Sequence, residues 1–526
     1  EIKEYAGQIV INNDLDQTNN SKAIGGNGIE DDGTLILEGD LSFENVFVNA
    51  SSTKTLKLTN TFKSPLIVSS IGLPEGFTIN WENGSIEPDT TKEVFVTFTP
   101  TEIKEYAGQI VINNDLDQTN NTIALSGNGI DNNGNLFSDA AAVKAILSAN
   151  GLDVSDPRWD STIESEIVGI LSENGCEASG VPTRVIRLDL SEKNLTTLPA
   201  EIGNLTNLGY LNLYNNSLTS IPTTIGNLTE LTILSFWRNN LSSIPETIGS
   251  LINLKELHLG HNNLTSLPTN IGNLTGLTHL NSSDNNLTSI PTTIGNLTNL
   301  TYLNLNNNNL TSIPTTMGNL TGLTVLFFHR NNLSSIPTEI FNLTGLTNLS
   351  FWGNNLSSIP EAIGNLTGLT HLYLGNNNLT SIPTTMGNLT GLTVLKLADN
   401  KLTSLPETIG NLINLEELEL HNNNLTSIPT IIGNLTGLTH LYLWGNNLTS
   451  FPETIGNLKS LNYLRCKYNN LTSIPAEIGN LTSLKDLDLE YNDELKCLPS
   501  AVWDLKNNYG TTISTNLEAG DTDCSN

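Results

Sequence analysis

The chain is short of basic residues, of charge in general and of long apolar runs, and each shortage excludes a class of protein. Its 526 residues include 23 Lys and Arg against 53 Asp and Glu, a net charge of −30. Proteins that grip nucleic acid or an anionic membrane do so with clustered Lys and Arg, so neither partner is expected. No uninterrupted apolar stretch approaches the ~18 residues of a membrane-spanning helix. Charged residues make up only 14%, against about 25% in an average globular chain. No nucleophile–base pair, phosphate loop or carboxylate dyad stands out, so neither an enzyme nor a cofactor is expected. What is in excess is Asn, 75 residues, a bias that points to a repeated structural device rather than a catalytic centre.

Glu1 opens directly onto a strand-like stretch, with neither an initiator Met nor a secretory signal pattern before it. Residues 1–20 recur identically at 102–121, an offset of 101, and the copies rejoin at 26–29 and 127–130. Two strands alone are marginal in water. Residues 1–29 are therefore expected to be the last strands of a truncated upstream domain, and the chain a C-terminal piece of something longer. The complete unit, 30–130, reads as all-β: alternating runs at 54–60, 93–99 and 108–113 are separated by Gly, Pro, Asn and Asp turns. About seven such strands favour a sandwich.

The wording of that unit, LSFENVFV, TLKLTNTFKSPLIVSSI, GSIEPDTTKEVFVTFTP and YAGQIVINND, resembles the Hydin/abnormal-spindle type of immunoglobulin-like domain. It is similar to the "choice-of-anchor D" form found in secreted bacterial proteins. The resemblance implies an immunoglobulin-like sandwich that acts as a tandem spacer or adhesion module, with no catalytic residues to carry over.

Residues 131–137 read as a polar linker. Asp131, Asn133 and Asn135 imitate the opening of a Ca²⁺ loop, but the Gly is misplaced and Ala142 stands where a Glu should close it. Two helical stretches follow, one capped by Ser138 and one running from Ser161 to about Glu173. Residues 138–184 are expected to form a helical N-terminal cap over the next domain.

From Val185 the same frame restarts every 23 residues through Leu484, giving fourteen repeats over 185–506. One of them reads LTHLYLGNNNLTSIPTTMGNLTG, residues 369–391. This resembles the leucine-rich repeat, L-x-x-L-x-L-x-x-N-x-L, in the 23-residue subtype with Leu/Ile-Pro-x-x-Ile after the strand. The resemblance implies an α/β solenoid, a horseshoe, with residues 507–526 as C-terminal tail or cap. Leucines at positions 1, 4, 6 and 11 point inward, where only a stacked neighbour can bury them. Asn at position 9 (Asn216, Asn239, Asn262, Asn377) is placed to satisfy turning backbone. Pro at position 15 suits the first residue of a short helical turn, and Gly at 19 its end.

The frame also generates false signals. Asn-Leu-Thr sequons, a near-sortase string at 405–410 and His258-x-x-His261 all follow from the repeat or lack their required context. Positions 2, 3, 5, 7 and 8 are left free and should face the concave side. All seven His fall there (His258, His261, His279, His329, His371, His421 and His440), with eight of the eleven Tyr and eight bases: Arg187, Arg238, Lys255, Arg330, Lys396, Arg465, Lys467 and Lys485. Tyr, Trp and Arg are the residue types enriched in binding hot spots. The expected ligand face comprises Tyr210, Tyr214, Trp237, Arg238, Tyr302, Phe327, His329, Arg330, Trp352, His371, Tyr373, His421, His440, Tyr442, Trp444, Tyr463, Arg465 and Tyr468. β-Propensity favours Tyr and Trp on any exposed strand, but it does not account for the His or for the plain Thr, Ser and Asn of the other faces. Strands ~4.8 Å apart should pair His329 with Trp352, His421 with Trp444 and Tyr442 with Arg465. Repeats 7–9 and 11–13 are then the two richer patches. His261 and Asp284 adjoin, but ordinary polarity is the preferred reading there and no metal is expected.

Of the four cysteines, Cys466 takes a core position and Cys176 has no evident mate, while Cys497 and Cys524 are expected to pair across the C-terminal cap. The sequence thus reads as a secreted or cell-surface bacterial adhesion or binding protein, its solenoid binding a protein or glycan. An intracellular signalling scaffold, as in cytosolic Ras-pathway adaptors of this subtype, is one alternative. A structural or ice-binding surface of Thr and Ser at positions 12, 13, 16 and 17 is another.

Overall fold

The computed structural model describes residues 8–11, 20–23, 33–47, 50–102, 104–116, 121–130, 136–160, 170–179, 184–517 and 524. The Ca²⁺-like stretch at 131–135 lies outside them, as does most of the helix expected over 161–173, of which 170–173 are helical. The chain forms two compact units: 1–141 with 157–170 and 178–184, and 142–156 with 171–177 and 185–526.

In the first unit, β1 (Gln8–Ile11) and β2 (Asn20–Ala23) pair antiparallel. The sandwich comprises β3 (Leu35–Glu38), β4 (Ser42–Phe47), β5 (Ser52–Asn60), β6 (Leu66–Gly72), β7 (Phe77–Ile79), β8 (Gly84–Ile86), β9 (Thr90–Phe98), β10 (Glu105–Asn114) and β11 (Asn121–Ile130). One sheet runs β4-β11-β10-β6-β8 and the other β3-β5-β9-β7. Alternation in β5 and β9 buries Leu56, Leu58, Val94, Val96 and Phe98. Phe98 stacks on Phe77 at 4.6 Å and meets Tyr106 edge-on at 5.2 Å. Nine strands replace the seven expected, because β3, β7 and β8 are too short to show a period of two. Arg184 and Asp139 form a buried fork, Nε to Oδ2 at 3.0 Å and Nη2 to Oδ1 at 2.9 Å.

Helix α1 (Leu136–Ala149) begins two residues before the Ser138 expected to cap it, and buries Val143, Ile146 and Leu147. In the second unit, the Asn150 side chain accepts from the amides of Thr196 and Thr197 at 2.7 and 3.0 Å, fastening this segment to the first repeat. β12 (Cys176–Ser179) forms the edge of a sixteen-strand sheet in which the strands run parallel from β13 (Arg184–Asp189) onward. Strand residues at positions 3, 4 and 5 pair with the same positions of the next repeat, as Tyr210, Leu211 and Asn212 do with Ile233, Leu234 and Ser235.

The leucines of the frame are fully buried. Asn at position 9 is the cross-link between coils. The Asn354 amide nitrogen donates to the carbonyls of Phe328 and Phe351, each at 3.0 Å, and its oxygen accepts from Leu333 N–H at 3.0 Å. The convex side carries five-residue 3₁₀ turns, such as Thr223–Asn227. Pro222 precedes that turn rather than starting it: its backbone is extended (φ −68°, ψ 149°) and its carbonyl accepts the first bond, from Ile225. Nor does Gly at position 19 end the turn. A Cβ on Gly226 would lie 2.7 Å from the carbonyl oxygen of Thr247 in the next coil, and one on Gly272 would meet that of Thr293, so close stacking requires the glycine. Position 17 Thr hydroxyls add a further tie, as Thr293 does to Thr269 O at 2.6 Å. At the far end α2 (Ser500–Tyr509) crosses residue 506 and leads to one more parallel strand, Thr512–Ser514, beside Asp486–Asp488.

Candidate ligand face

Nine of the eighteen expected residues lie on the strands (Tyr210, Tyr302, Phe327, His371, Tyr373, His440, Tyr442, Tyr463 and Arg465), and the other nine follow just after a strand; their contacts gather in two differently built patches. Over repeats 6–10 an open groove of about 550 Å³ is lined by Asn307, Phe327, His329, Arg330, Ser350, Trp352, Tyr373 and Lys396. The expected stack of His329 on Trp352 is replaced. Arg330 takes the indole, its guanidinium carbon 5.1 Å from the ring centroid, while His329 tilts against Phe327 at 6.0 Å and meets Ser350 Oγ at 3.3 Å. Tyr302 meets Phe327 edge-on at 6.2 Å, and His371 tilts against Tyr373 at 6.3 Å. Trp352 has room because its neighbour is Gly375, where a Cβ would come within 2.8 Å of Cδ1.

Arg330 reaches the indole through a backbone feature that the frame does not announce. Position 8 is left-handed in all fourteen repeats, with φ between 51° and 69°. Asn, Asp and Gly tolerate that conformation, yet Arg238, His261, Arg330, Tyr468 and Tyr491 occupy it too. Burial holds the His329 imidazole below its ordinary pKa, aided by Arg330 and opposed by Asp284. Burial would also lower the Lys396 ammonium, but hydrogen bonds to Glu419 and Glu417, at 2.9 and 3.1 Å, raise it. Beneath this groove the core is bulkier than elsewhere. Phe328 and Phe351 replace Leu at position 6, stacked 5.5 Å apart, and Phe341 replaces Gly at position 19, all fully buried.

The second patch is held together by stacking. His421 lies on Trp444 at 4.2 Å, and His440 on Tyr463 at 4.8 Å. Arg465 reaches Tyr442 and Tyr463 at 5.8 and 5.9 Å while donating to Asp486 at 2.9 Å. Tyr468 stacks on Tyr491 at 4.3 Å. Burial raises the Tyr442 and Tyr373 hydroxyls and lowers His421. Nearer the N-terminus Arg187 covers Tyr210 at 3.4 Å, Arg238 meets the Tyr214 hydroxyl at 3.4 Å, and Trp237 faces His261 at 5.4 Å. His261 and Asp284 are 3.4 Å apart. No group of three or more metal-ligating side chains is found among the described residues. Asn307 and Ser350 line the groove without having been expected there; Gly at position 7 after a Trp was the signal that space had been cleared. Cys497 and Cys524 form a disulfide, and Cys176 and Cys466 are buried thiols.

A sandwich of immunoglobulin type followed by a parallel solenoid with a side-chain-rich concave face defines a modular repeat protein. The chain belongs to the leucine-rich repeat family. The "Leucine-rich repeat region" family matches residues 182–290, 239–332 and 392–466, and two further leucine-rich repeat families match 321–379 and 367–412. The "HYDIN/CFA65/VesB-like, Ig-like domain" matches residues 34–128. Among solved structures, a leucine-rich repeat protein of Leptospira interrogans is 32% identical, covering 71% of this chain and 98% of its own, with a TM-score of 0.59. The plant peptide hormone receptor RGFR1, in complex with RGF2, is 37% identical over 62% of this chain and 55% of its own, at 0.57. PEPR1, solved with AtPEP1, is 25% identical over 72% and 71%, at 0.50. No curated protein matches the chain. Solenoids of this fold are typically ligand-binding proteins, receptor ectodomains among them, and both modules are typically non-enzymatic. No described helix is long and apolar enough to cross a membrane.

Proposed function

We propose that the chain is an extracellular binding protein of a bacterial surface, in which the sandwich spaces the solenoid from its anchor and the concave groove over repeats 6–10 takes a protein or glycan ligand. The observation that carries this reading is the groove itself: Phe327, Trp352 and Tyr373 converge there with Arg330 and Asn307 around about 550 Å³. That is the combination of apolar walls and few polar groups typical of a ligand site. The RGFR1 structure shows a relative of the solenoid bound to a peptide hormone. The Cys497–Cys524 disulfide suits an oxidising compartment and supports the extracellular reading over a cytosolic scaffold. An ice-binding convex face is less well supported, because position 17 hydroxyls such as Thr293 and Thr316 already donate to backbone.

Titrating the chain with neutral glycans, anionic glycans and peptides while following tryptophan fluorescence tests the reading. A saturable change that disappears in Trp352→Ala, with Trp444→Ala unaffected, is the expected result. A response that survives Trp352→Ala places the ligand elsewhere.

A further inference from the structure

We infer that the solenoid carries a built-in joint at repeat 5, across which the four repeats before it and the nine after it open independently. The joint is set by one residue. Position 6 of the frame is an inward core position, and thirteen of the fourteen repeats fill it with Leu, Phe or Cys. Repeat 5 has Ser282 there, fully buried beside Leu259 and Leu305 of the adjoining coils. The Ser282 hydroxyl has no hydrogen-bond partner among the described residues. Cys466 shows what a satisfied polar atom does at this position: its Sγ reaches Asp488 O of the next coil at 3.3 Å. The matching carbonyl for Ser282 is Asn304 O, which takes the Ser282 amide at 2.9 Å but not the hydroxyl. Repeat 5 therefore loses twice, once in apolar packing against its neighbours and once in a polar group buried unpaired.

The stability of a solenoid is close to a sum of coil terms and nearest-neighbour seam terms, so a deficit in one coil stays there. Around Ser282 much of what crosses the two seams is polar. Asn285 donates to Leu259 O and Asn308 to Ser282 O, each at 3.0 Å. Asp284 meets His261 at 3.4 Å and the Asn307 amide at 2.7 Å, and His279 stacks on Tyr302 at 5.8 Å. Asn281 bonds within its own coil, accepting from Ser283 N–H at 3.0 Å. Hydrogen bonds of this kind are exchanged for bonds to water when a seam opens, and the pairs at the surface are screened by it. Two repeats further on, Phe328 and Phe351 stack 5.5 Å apart across their seam, both fully buried. The array is stiff under the groove and loose just before it.

The place of the joint gives it a use. Trp237 and His261 stand before it, and Phe327, Arg330 and Trp352 stand after it. Opening changes the angle between these two sets of side chains without disturbing either. A body that touches both holds the joint shut.

Amide hydrogen exchange of the full chain, read residue by residue, tests the inference. The amides of Leu259 and Ser282 bond Asn281 O and Asn304 O at 2.7 and 2.9 Å, while Leu397 and Leu420 make the same bond to Glu419 O and Tyr442 O at 2.8 Å. The first two are expected to be at least about tenfold less protected than the second two, as local opening at an underfilled core requires. Ser282→Leu restores the residue of the frame and should raise protection at positions 259 and 282 to the level of the others. Ser282→Ala, which removes only the unpaired hydroxyl, should move them the same way by less. Leu397→Ser should create a second joint, lowering protection at 397 and at Leu374, whose amide bonds Lys396 O at 2.8 Å, and nowhere else. Equal protection along the array in the parent, no change in either Ser282 variant, or a loosening in Leu397→Ser that spreads over the whole array would each overturn the inference.

Discussion

The imidazole of His421 lies nearly parallel to the indole of Trp444, 4.2 Å between centroids and 14° between planes. One repeat separates them in sequence, so the stack is the sheet register written in side chains. Its Nδ1 is buried without a hydrogen-bond partner, and burial depresses the pKa of the ring below 6.5, against the opposing pull of Glu419 and Asp399 and with a smaller push from Lys396.

That depression makes stability depend on pH in a defined sense. The folded ring binds a proton less readily than the unfolded one, so its contribution is complete above about pH 6.5 and is lost as pH falls through the lower folded value. Melting temperature should therefore fall between about pH 7 and about pH 5. In His421→Phe, which keeps the stack and cannot titrate, the fall should be smaller. An equal fall in both proteins would show that the ring stays neutral throughout or titrates without consequence.

Asn354→Ala removes two hydrogen bonds that join repeats 7 and 8 and a third within repeat 8. Leaving those backbone groups buried and unpaired should cost about 2–3 kcal/mol. Because a solenoid need not unfold in one step, amide hydrogen exchange is the better gauge. The Leu333 amide should lose protection first, while that of Leu448, held by Asn469, should not change.

Position 19 offers a pair of opposed substitutions. Gly364→Ala would bring a Cβ within 2.8 Å of both Cβ and O of Thr385, an overpacking expected to cost about 1–3 kcal/mol. Phe341→Ala empties a fully buried site and should cost about 3 kcal/mol or more. Urea titration of the two variants checks both; a neutral Phe341→Ala would mean that the turns close over the gap.

Reducing the Cys497–Cys524 disulfide, whose cysteines are 27 residues apart, should cost up to about 3.5 kcal/mol in the chain-entropy account. The loss should be confined to the last coil. Exchange at Leu489, whose amide bonds Ser514 O at 2.8 Å, should quicken, with repeats 7–9 unaffected.

The periodic part of the fold was legible because its signal is repeated fourteen times and packing obeys it each time. Leucines, the Asn cross-link and the register of neighbouring strands could all be read from spacing. What escaped were features fixed by contact between coils. Pro222 and Gly226 looked like the start and end of a turn, whereas the Pro222 carbonyl, ahead of the turn, accepts its first hydrogen bond and Gly226 yields space to Thr247. Arg330, not His329, lies over Trp352, and its position 8 has a left-handed backbone that the spacing does not announce. Asn and Asp at the other position 8 sites were a hint of it. In the sandwich, the parallel pairing of β4 with β11 joins segments about 80 residues apart, and no turn announces it. The last strand, Thr512–Ser514, carries no leucine and so fell outside the frame.

The constancy of the 23-residue step has a consequence for how such a protein changes over generations. Because most coils mate with their neighbours through the same Asn bonds and, Phe341 apart, the same glycine seat, whole coils can be gained or lost without new joints having to be invented. Inserting one between the Arg330–Trp352 groove and the His421–Trp444 stack would move them apart by a single strand spacing, about 4.8 Å, and leave both intact. The array is in this respect a ruler, graduated in strands, on which the distance between two points of contact can be reset by unequal crossing-over alone.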